Sequence, residues 1–319
     1  MLKELKTTLE AISQWSAADQ EYVHHILNQI IALRDQEPED RDADQESYLQ
    51  LARHGSFMKK LAGHFSSAIL VDSQMGKFLV DPEDVVVGQY LRHSGTYSAE
   101  ELSKLSAFVN PTSRVLFVGA HIGALCIPIA KIAGQVTVIE ANPISFTLLQ
   151  QNILLNGLKN CLAFNVAAND TDTVISFIQN RANSGGSKRK PIKDAFMYNY
   201  DKPNEIQVQG AALDVLLDGS FDIVVMDIEG SEYFALKGMP KILESCELLM
   251  MEFIPHHLIN VANISVTDLV STLSAFDVLT IPSLGKQVSG PEILNTLQMM
   301  FDQQLADDSL IFSKTTPRV

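Results

Sequence analysis

The chain has 319 residues, of which 46% are hydrophobic and 19% charged; that is enough for one large domain and a smaller one, with the composition of a globular chain that buries a sizeable core. Its formal net charge of −14 argues against a nucleic-acid groove, which needs a basic face. No apolar run approaches the roughly 20 residues of a membrane span, so no membrane partner is expected.

The start, Met1 to Lys6, leads into an amphipathic pattern and not an apolar signal core. Leu2, Leu5, Leu9, Ile12 and Trp15 recur at helix spacing, and Tyr22, Ile26, Ile30 and Leu33 repeat it, with Ser16 to Asp19 as the N-cap of the second helix. Residues 35–46 hold seven acids against one Arg and a Pro, the pattern of a solvated linker. A third helical stretch follows over about 47–67. Residues 1–67 therefore read as a small helical module, a candidate for a homodimer contact or a lid, and 68–319 as the main domain. Cys126, Cys161 and Cys246 are far apart in apolar contexts. They read as small buried hydrophobes in a reducing cytoplasm, with no zinc or disulfide framework.

From Ala68 the pattern changes. Ile69 to Val71 and Lys77 to Val80 predict a hairpin around Met75-Gly76, and Val85 to Leu91 and Ser98 to Phe108 predict helices. Strands are then expected at 114–118, 135–140, 161–166, 173–178, 206–210, 221–227, 246–253, 276–281 and 308–313. Helices are expected at 123–133, 143–156, 211–217, 230–244, 265–275 and 289–304. Such alternation predicts an α/β fold with a mainly parallel sheet covered on both faces. Residues 179–205 interrupt it with Asn183-Ser184-Gly185-Gly186-Ser187 and Lys188-Arg189-Lys190-Pro191. Two readings stand: a mobile surface loop, or a substrate-side flap whose bases attract an anion.

Two motifs carry the chemistry. The apolar run Val115 to Val118 ends in Gly119-Ala120-His121-Ile122-Gly123, and a second run, Val136 to Ile139, ends at Glu140, 21 positions after Gly119. Strand, glycine turn, helix, strand and acid form a nucleotide-binding unit in which the acid takes both ribose hydroxyls. Gly119 permits the sharp turn and Gly123 a close approach to a ligand. A pyrophosphate would need a further glycine where Ala120-His121 stand, so S-adenosylmethionine suits the turn better than NAD; an ordinary tight turn without ligand is the plain alternative. The second motif, Phe221 to Glu232, reads as a buried strand ending in Asp227-Ile228-Glu229-Gly230-Ser231-Glu232. Ligands collect beyond the carboxyl ends of such strands, although Asp227 would also serve as a helix cap.

Together Gly119 to Gly123, Glu140-Ala141-Asn142-Pro143, Gln151-Asn152, Asn156-Gly157-Leu158, Leu213-Asp214, Asp227 to Glu232 and Lys237-Gly238 resemble the FkbM family of S-adenosylmethionine-dependent methyltransferases. The resemblance runs from about Leu70 to the last strand. It implies a class I methyltransferase (Rossmann-like) fold, with a seven-stranded sheet whose last strand is antiparallel, and methyl transfer to a hydroxyl of a sugar, polyketide or other small metabolite. By position it implies that Gly119, His121 and Gly123 line the methionine part of the cofactor, Glu140 takes the ribose, Asn142 the adenosine edge, and Asn165 and Val166 flank the adenine. It further implies that Asp227 and Glu229 face the cofactor amino group or the acceptor. The chain departs from the family pattern at His121, where Asn is usual, and at Val225, where Lys is often found.

An alcohol acceptor needs a proton acceptor as it is methylated. Asp227, Glu229, His256 and His257 are the candidates, of which Asp227, His256 and His257 are taken as catalytic. A metal held by Asp227, Glu229 and a His is not singled out by the spacing, and no metal is assigned. Two rival readings remain: an NAD-dependent oxidoreductase, which lacks a Tyr-x-x-x-Lys pair here, and a non-catalytic scaffold that keeps the fold.

Overall fold

The computed structural model describes residues 15–34 and 43–314, and the chain divides into two compact units, Met1–Glu46 and Ser47–Val319. In the first unit a helix runs over Ala17–Arg34. Ser16 caps it as expected, its hydroxyl oxygen accepting the Asp19 N–H at 3.2 Å. The apolar positions from Leu2 to Ile12 lie outside the described residues, as do the side chains of Ile26, Ile30 and Leu33, and with them the expected homodimer contact. The helix Ala43–Ala62 has most of its length in the second unit. There Tyr48, Leu51, Ala52 and Met58 pack on Val85, Ala182 and Tyr200, so the second unit starts earlier than residue 68.

Within the second unit the strands are β1 (Ile69–Ser73), β2 (Gly76–Val80), β3 (Arg114–Val118), β4 (Gln135–Ile139), β5 (Cys161–Phe164), β6 (Ala167–Ala168), β7 (Thr173–Gln179), β8 (Lys188–Arg189), β9 (Asn204–Ala211), β10 (Ile223–Met226), β11 (Leu248–Phe253), β12 (Val278–Ile281), β13 (Lys286–Ser289) and β14 (Asp307–Ser313). β1 and β2 form the expected antiparallel hairpin. The main sheet has the order β13-β12-β14-β11-β10-β3-β4-β5. Strands β3, β4, β5, β10 and β11 are parallel, and β14 inserts antiparallel between β11 and β12. This is the expected class I arrangement with one addition: β13 pairs with β12 as an eighth strand at the edge. The expected helix at 289–304 had absorbed its last residue; the helix itself covers Glu292–Asp302.

Side chains alternate across β3 because successive residues of a strand point to opposite faces. Leu116 and Val118 join the core beneath the helices of the C-terminal half, while Val115 and Phe117 join the core under the helices Val87–Ser94, Cys126–Ala130 and Pro143–Leu155. The expected helix at 230–244 is two, Glu232–Lys237 and Pro240–Ser245. Proline has no N–H for a continuing helix, so Pro240 starts a new one. The three cysteines are free. No helix among the described residues is long and apolar enough to cross a membrane.

The strands expected at 173–178 and 206–210 do not enter the main sheet. β7 and β9 pair with each other in a second sheet of order β6-β9-β7-β8. The segment expected as a loop or flap is a built strap. Lys188 and Arg189 form β8 against Ile178 and Phe177, and buried Asp201 accepts from Arg181 N–H at 2.5 Å, Ala182 N–H at 2.9 Å and Asn180 Nδ2 at 3.1 Å.

Candidate active site

The parallel register brings the ends of four strands level. Val118 pairs with Ile139 and Met226, and Met226 with Met251. The residues that follow, Gly119, Glu140, Asp227 and Glu252, therefore fall along one rim of the sheet. They line a cavity of about 270 Å³ together with Val166, His121, Glu101 and Asp308. Ligands of open α/β sheets gather at this edge because the connecting loops there part to opposite sides.

Gly119 sits at φ +91°, and a Cβ on it would lie 1.8 Å from the carbonyl oxygen of Asp227. The turn thus needs glycine for its left-handed backbone and to clear the adjacent strand end. Glu140 is buried. Its Oε2 accepts the His121 N–H and its Oε1 the Asn142 N–H, both at 2.7 Å. Burial nonetheless lifts its pKa to about 7, with those N–H bonds opposing the rise. A carboxylate oxygen accepts more than one hydrogen bond, so Glu140 keeps acceptor capacity on the cavity side for a diol. Val166, Ile175 and Phe177 supply an apolar wall.

The opposite end of the cavity is acidic. Asp227 opens onto it, and enclosure by protein followed by the charge of Glu229 raises its pKa well above the ordinary carboxylate value. Glu252 is raised in the same direction, again chiefly by burial. Glu232 turns back to accept the Ile228 and Gly230 N–H groups at 3.1 and 3.3 Å; burial lifts it to about 7. Glu229 adopts φ +55°, a conformation that a residue with a Cβ adopts at a cost. Its Oε2 receives the buried Lys188 ammonium at 2.6 Å. The basic run read as an anion-attracting cluster is thus split: Lys188 pairs inward with Glu229, Arg189 stacks on Phe234 at 4.3 Å, and Lys190 pairs outward with Glu205. Lys188 was singled out in the sequence only as part of a cluster open to an anion; its pairing with Glu229, which lines the cavity, was not foreseen.

Of the residues expected in the site, Gly119, His121, Glu140, Val166, Asp227 and Glu229 line the cavity. Gly123 is not among the residues that line it; a Cβ there would strike Ile127 and Leu149 at 2.8 and 2.9 Å, so close packing asks for glycine at this position. Asn142 caps the helix Pro143–Leu155, its Oδ1 accepting the Ile144 N–H at 3.1 Å and Gln179 Nε2 at 2.7 Å. Asn165 donates to the carbonyls of Glu140 and Ala141. Both brace the Glu140 turn from outside the cavity wall. His256 and His257 also lie off the wall: His256 Nδ1 meets the Tyr198 hydroxyl at 3.1 Å. His257 is buried with Nε2 3.6 Å from Glu229, and burial followed by the charge of Lys188 drives its pKa down to about 2. Glu229, Glu252 and His257 bring one ligand atom each within 4.8 Å of one another, but the cation placed against them is the Lys188 ammonium.

Residues 118–275 match the methyltransferase FkbM domain family. This segment belongs to that family. The cofactor of the FkbM methyltransferase domain is S-adenosylmethionine, and the cavity suits it: a buried acid with spare acceptor capacity for a ribose, an apolar wall for a base, and acids for an ammonium or sulfonium charge. Among solved structures the chain is similar to methyltransferase FkbM from Methylobacillus flagellatus KT, with 16% identity, 65% of this chain and 45% of that chain covered, and a TM-score of 0.39. The chain thus spans less than half the length of that protein. It is also similar to the tRNA m1G37 methyltransferase of M. jannaschii (15% identity, 81% of this chain and 60% of that one, TM-score 0.40). A third is TYW2 of M. jannaschii in complex with AdoMet (16% identity, 78% and 85%, TM-score 0.41). No protein of curated function matches the chain.

Proposed function

We propose that the chain is an S-adenosylmethionine-dependent methyltransferase that methylates a hydroxyl of a small metabolite such as a sugar or polyketide. The observation that supports this most is the alignment of Gly119, Glu140 and Asp227 around one cavity in a chain whose residues 118–275 match the FkbM domain. When bound, the cofactor supplies a sulfonium that already activates the methyl group, so the protein's task is to hold and orient the acceptor. Glu140 holds the ribose, Val166 lies against the adenine, and Gly119 and His121 lie against the methionine part. Asp227 faces the transferring end as the proton acceptor, its basicity raised by burial and by the charge of Glu229. His256 and His257, off the wall, do not share this task. The surplus of acids and the net charge of −14 favour a small acceptor over a nucleic acid. A cytoplasmic site of action fits the three free cysteines.

Calorimetric titration with S-adenosylhomocysteine tests the reading. Micromolar binding that Glu140→Ala abolishes supports it and opens a screen of hydroxylated acceptors. No binding at millimolar ligand, with NADH binding instead, replaces it with the oxidoreductase reading; binding of neither leaves the scaffold.

A further inference from the structure

His121 occupies the position where the family usually has Asn, and its surroundings give it a defined protonation pattern. Its Nε2 lies 2.7 Å from the Ser184 hydroxyl. That hydroxyl in turn makes a short hydrogen bond to Oδ2 of buried Asp84, which also accepts the Ser184 N–H at 3.1 Å. The other oxygen of Asp84 accepts the N–H groups of Val86 and Gly88, both at 2.9 Å. Asp84 is thus surrounded by donors and acts as the acceptor of the pair. A serine hydroxyl has one proton to give. Because it goes to Asp84, Ser184 can only accept from His121, and Nε2 must carry the hydrogen. Nδ1 is then left with a lone pair and no hydrogen.

Burial holds His121 below the ordinary histidine pKa, with Asp84 opposing the effect, so the ring is neutral near pH 7. Nδ1 lies beside the wall formed by the strap: a Cβ on Gly185 would be 3.8 Å from it, and Gly185, Ser184 and His121 all line the cavity. No group among the described residues donates to Nδ1. Where an Asn offers both a donor and an acceptor, this histidine offers the cavity an acceptor alone.

We propose that Asp84 and Ser184 are positioning residues that lock His121 in the Nε2–H tautomer, so that Nδ1 receives an N–H of the ammonium group at the amino-acid end of the cofactor. This rests on the methyltransferase reading. An acceptor-only nitrogen repels a carboxylate and welcomes an N–H donor. The ribose hydroxyls are matched by Glu140, next to His121, which leaves the ammonium as the donor of the tail. The lock also joins three segments distant in sequence: the turn before the helix Val87–Ser94, the strap and the glycine turn.

The test compares three probes in wild type, Ser184→Ala and Ser184→Thr: S-adenosylhomocysteine, S-adenosyl-3-thiopropylamine, which keeps the amine and lacks the carboxylate, and 5′-methylthioadenosine, which lacks both. Ser184→Ala, which leaves the helix-capping oxygen of Asp84 in place, is expected to weaken the two amine-bearing probes roughly tenfold, the scale of a hydrogen bond to a charged group. It should leave 5′-methylthioadenosine within about twofold, and Ser184→Thr should restore binding. Nitrogen-15 NMR of wild type should show His121 Nδ1 without hydrogen and a mixed tautomer in Ser184→Ala. An Nδ1–H tautomer in wild type, or equal weakening of all three probes, overturns the lock. Failure of wild type to bind S-adenosylhomocysteine overturns the cofactor reading beneath it, and the NMR spectrum separates the two failures.

Discussion

The glycine turn and the strap line one cavity and meet where His121 Nε2 lies 2.7 Å from the Ser184 hydroxyl, yet they are built on opposite principles. The turn from Gly119 to Asn142 is held by hydrogen bonds between near neighbours and adjacent strands: Gly119 and Ala120 donate to Ile139, and His121 and Asn142 donate to Glu140. The strap from Asn180 to Asp201 is held by partners far away in the chain: Ser184 by Asp84, and Lys188 by Glu229. A turn made of backbone contacts tolerates side-chain change where no Cβ is needed. A strap made of buried charge pairs depends on both partners being present.

The sharpest way to break the turn is Gly119→Ala. Overlap with the Asp227 carbonyl and the left-handed backbone together should cost about 4 kcal/mol, read as a fall in the denaturant midpoint or as failure to fold; a loss below 1 kcal/mol would show that the strand end yields. The corresponding change in the strap is Lys188→Met. It leaves Glu229 facing Glu252 and Asp227 without a cation, and should cost about 3 kcal/mol at neutral pH. Adding Glu229→Gln should recover part of that loss, and no recovery would mean that Lys188 acts by packing alone. The smallest effect concerns pH. Glu140 has an ordinary pKa of 4.5 and a folded value of about 7. The folded state therefore binds the extra proton, and stability without ligand should fall as pH rises from about 4.5 to 7, then level off. Glu140→Gln should flatten that slope by about 1 kcal/mol or more across the window, measured by thermal unfolding at several pH values; an unchanged slope would assign it to Glu101 or Glu232.

Much of the fold was legible because it is written in local pattern. Short apolar runs, glycine turns and the spacing from Gly119 to Glu140 depend on backbone geometry, and the strands β3, β4, β10 and β11 lie where these signals put them. The helix cap at Asn142 was visible as a residue before Pro143, but the sequence assigned it to the ligand. A side chain at a helix start serves either the N–H groups beside it or a bound molecule, and only the geometry tells which. His256 and His257 follow a strand at the right edge of the sheet, yet neither lines the cavity: His256 meets the Tyr198 hydroxyl, and His257 lies 3.6 Å from Glu229.

By itself, the sequence determined the parallel sheet, the glycine turn, the buried acid after β4 and the acids after β10, since each follows from period, turn chemistry and position at a strand end. Only the tertiary structure decided that β7 and β9 form their own sheet and that Lys188 neutralises Glu229. The link from Asp84 through Ser184 to His121 likewise appears only there. Those partners lie 25 to 100 positions apart, and pairing at such separations is set by how whole elements pack, to which no local window of sequence has access.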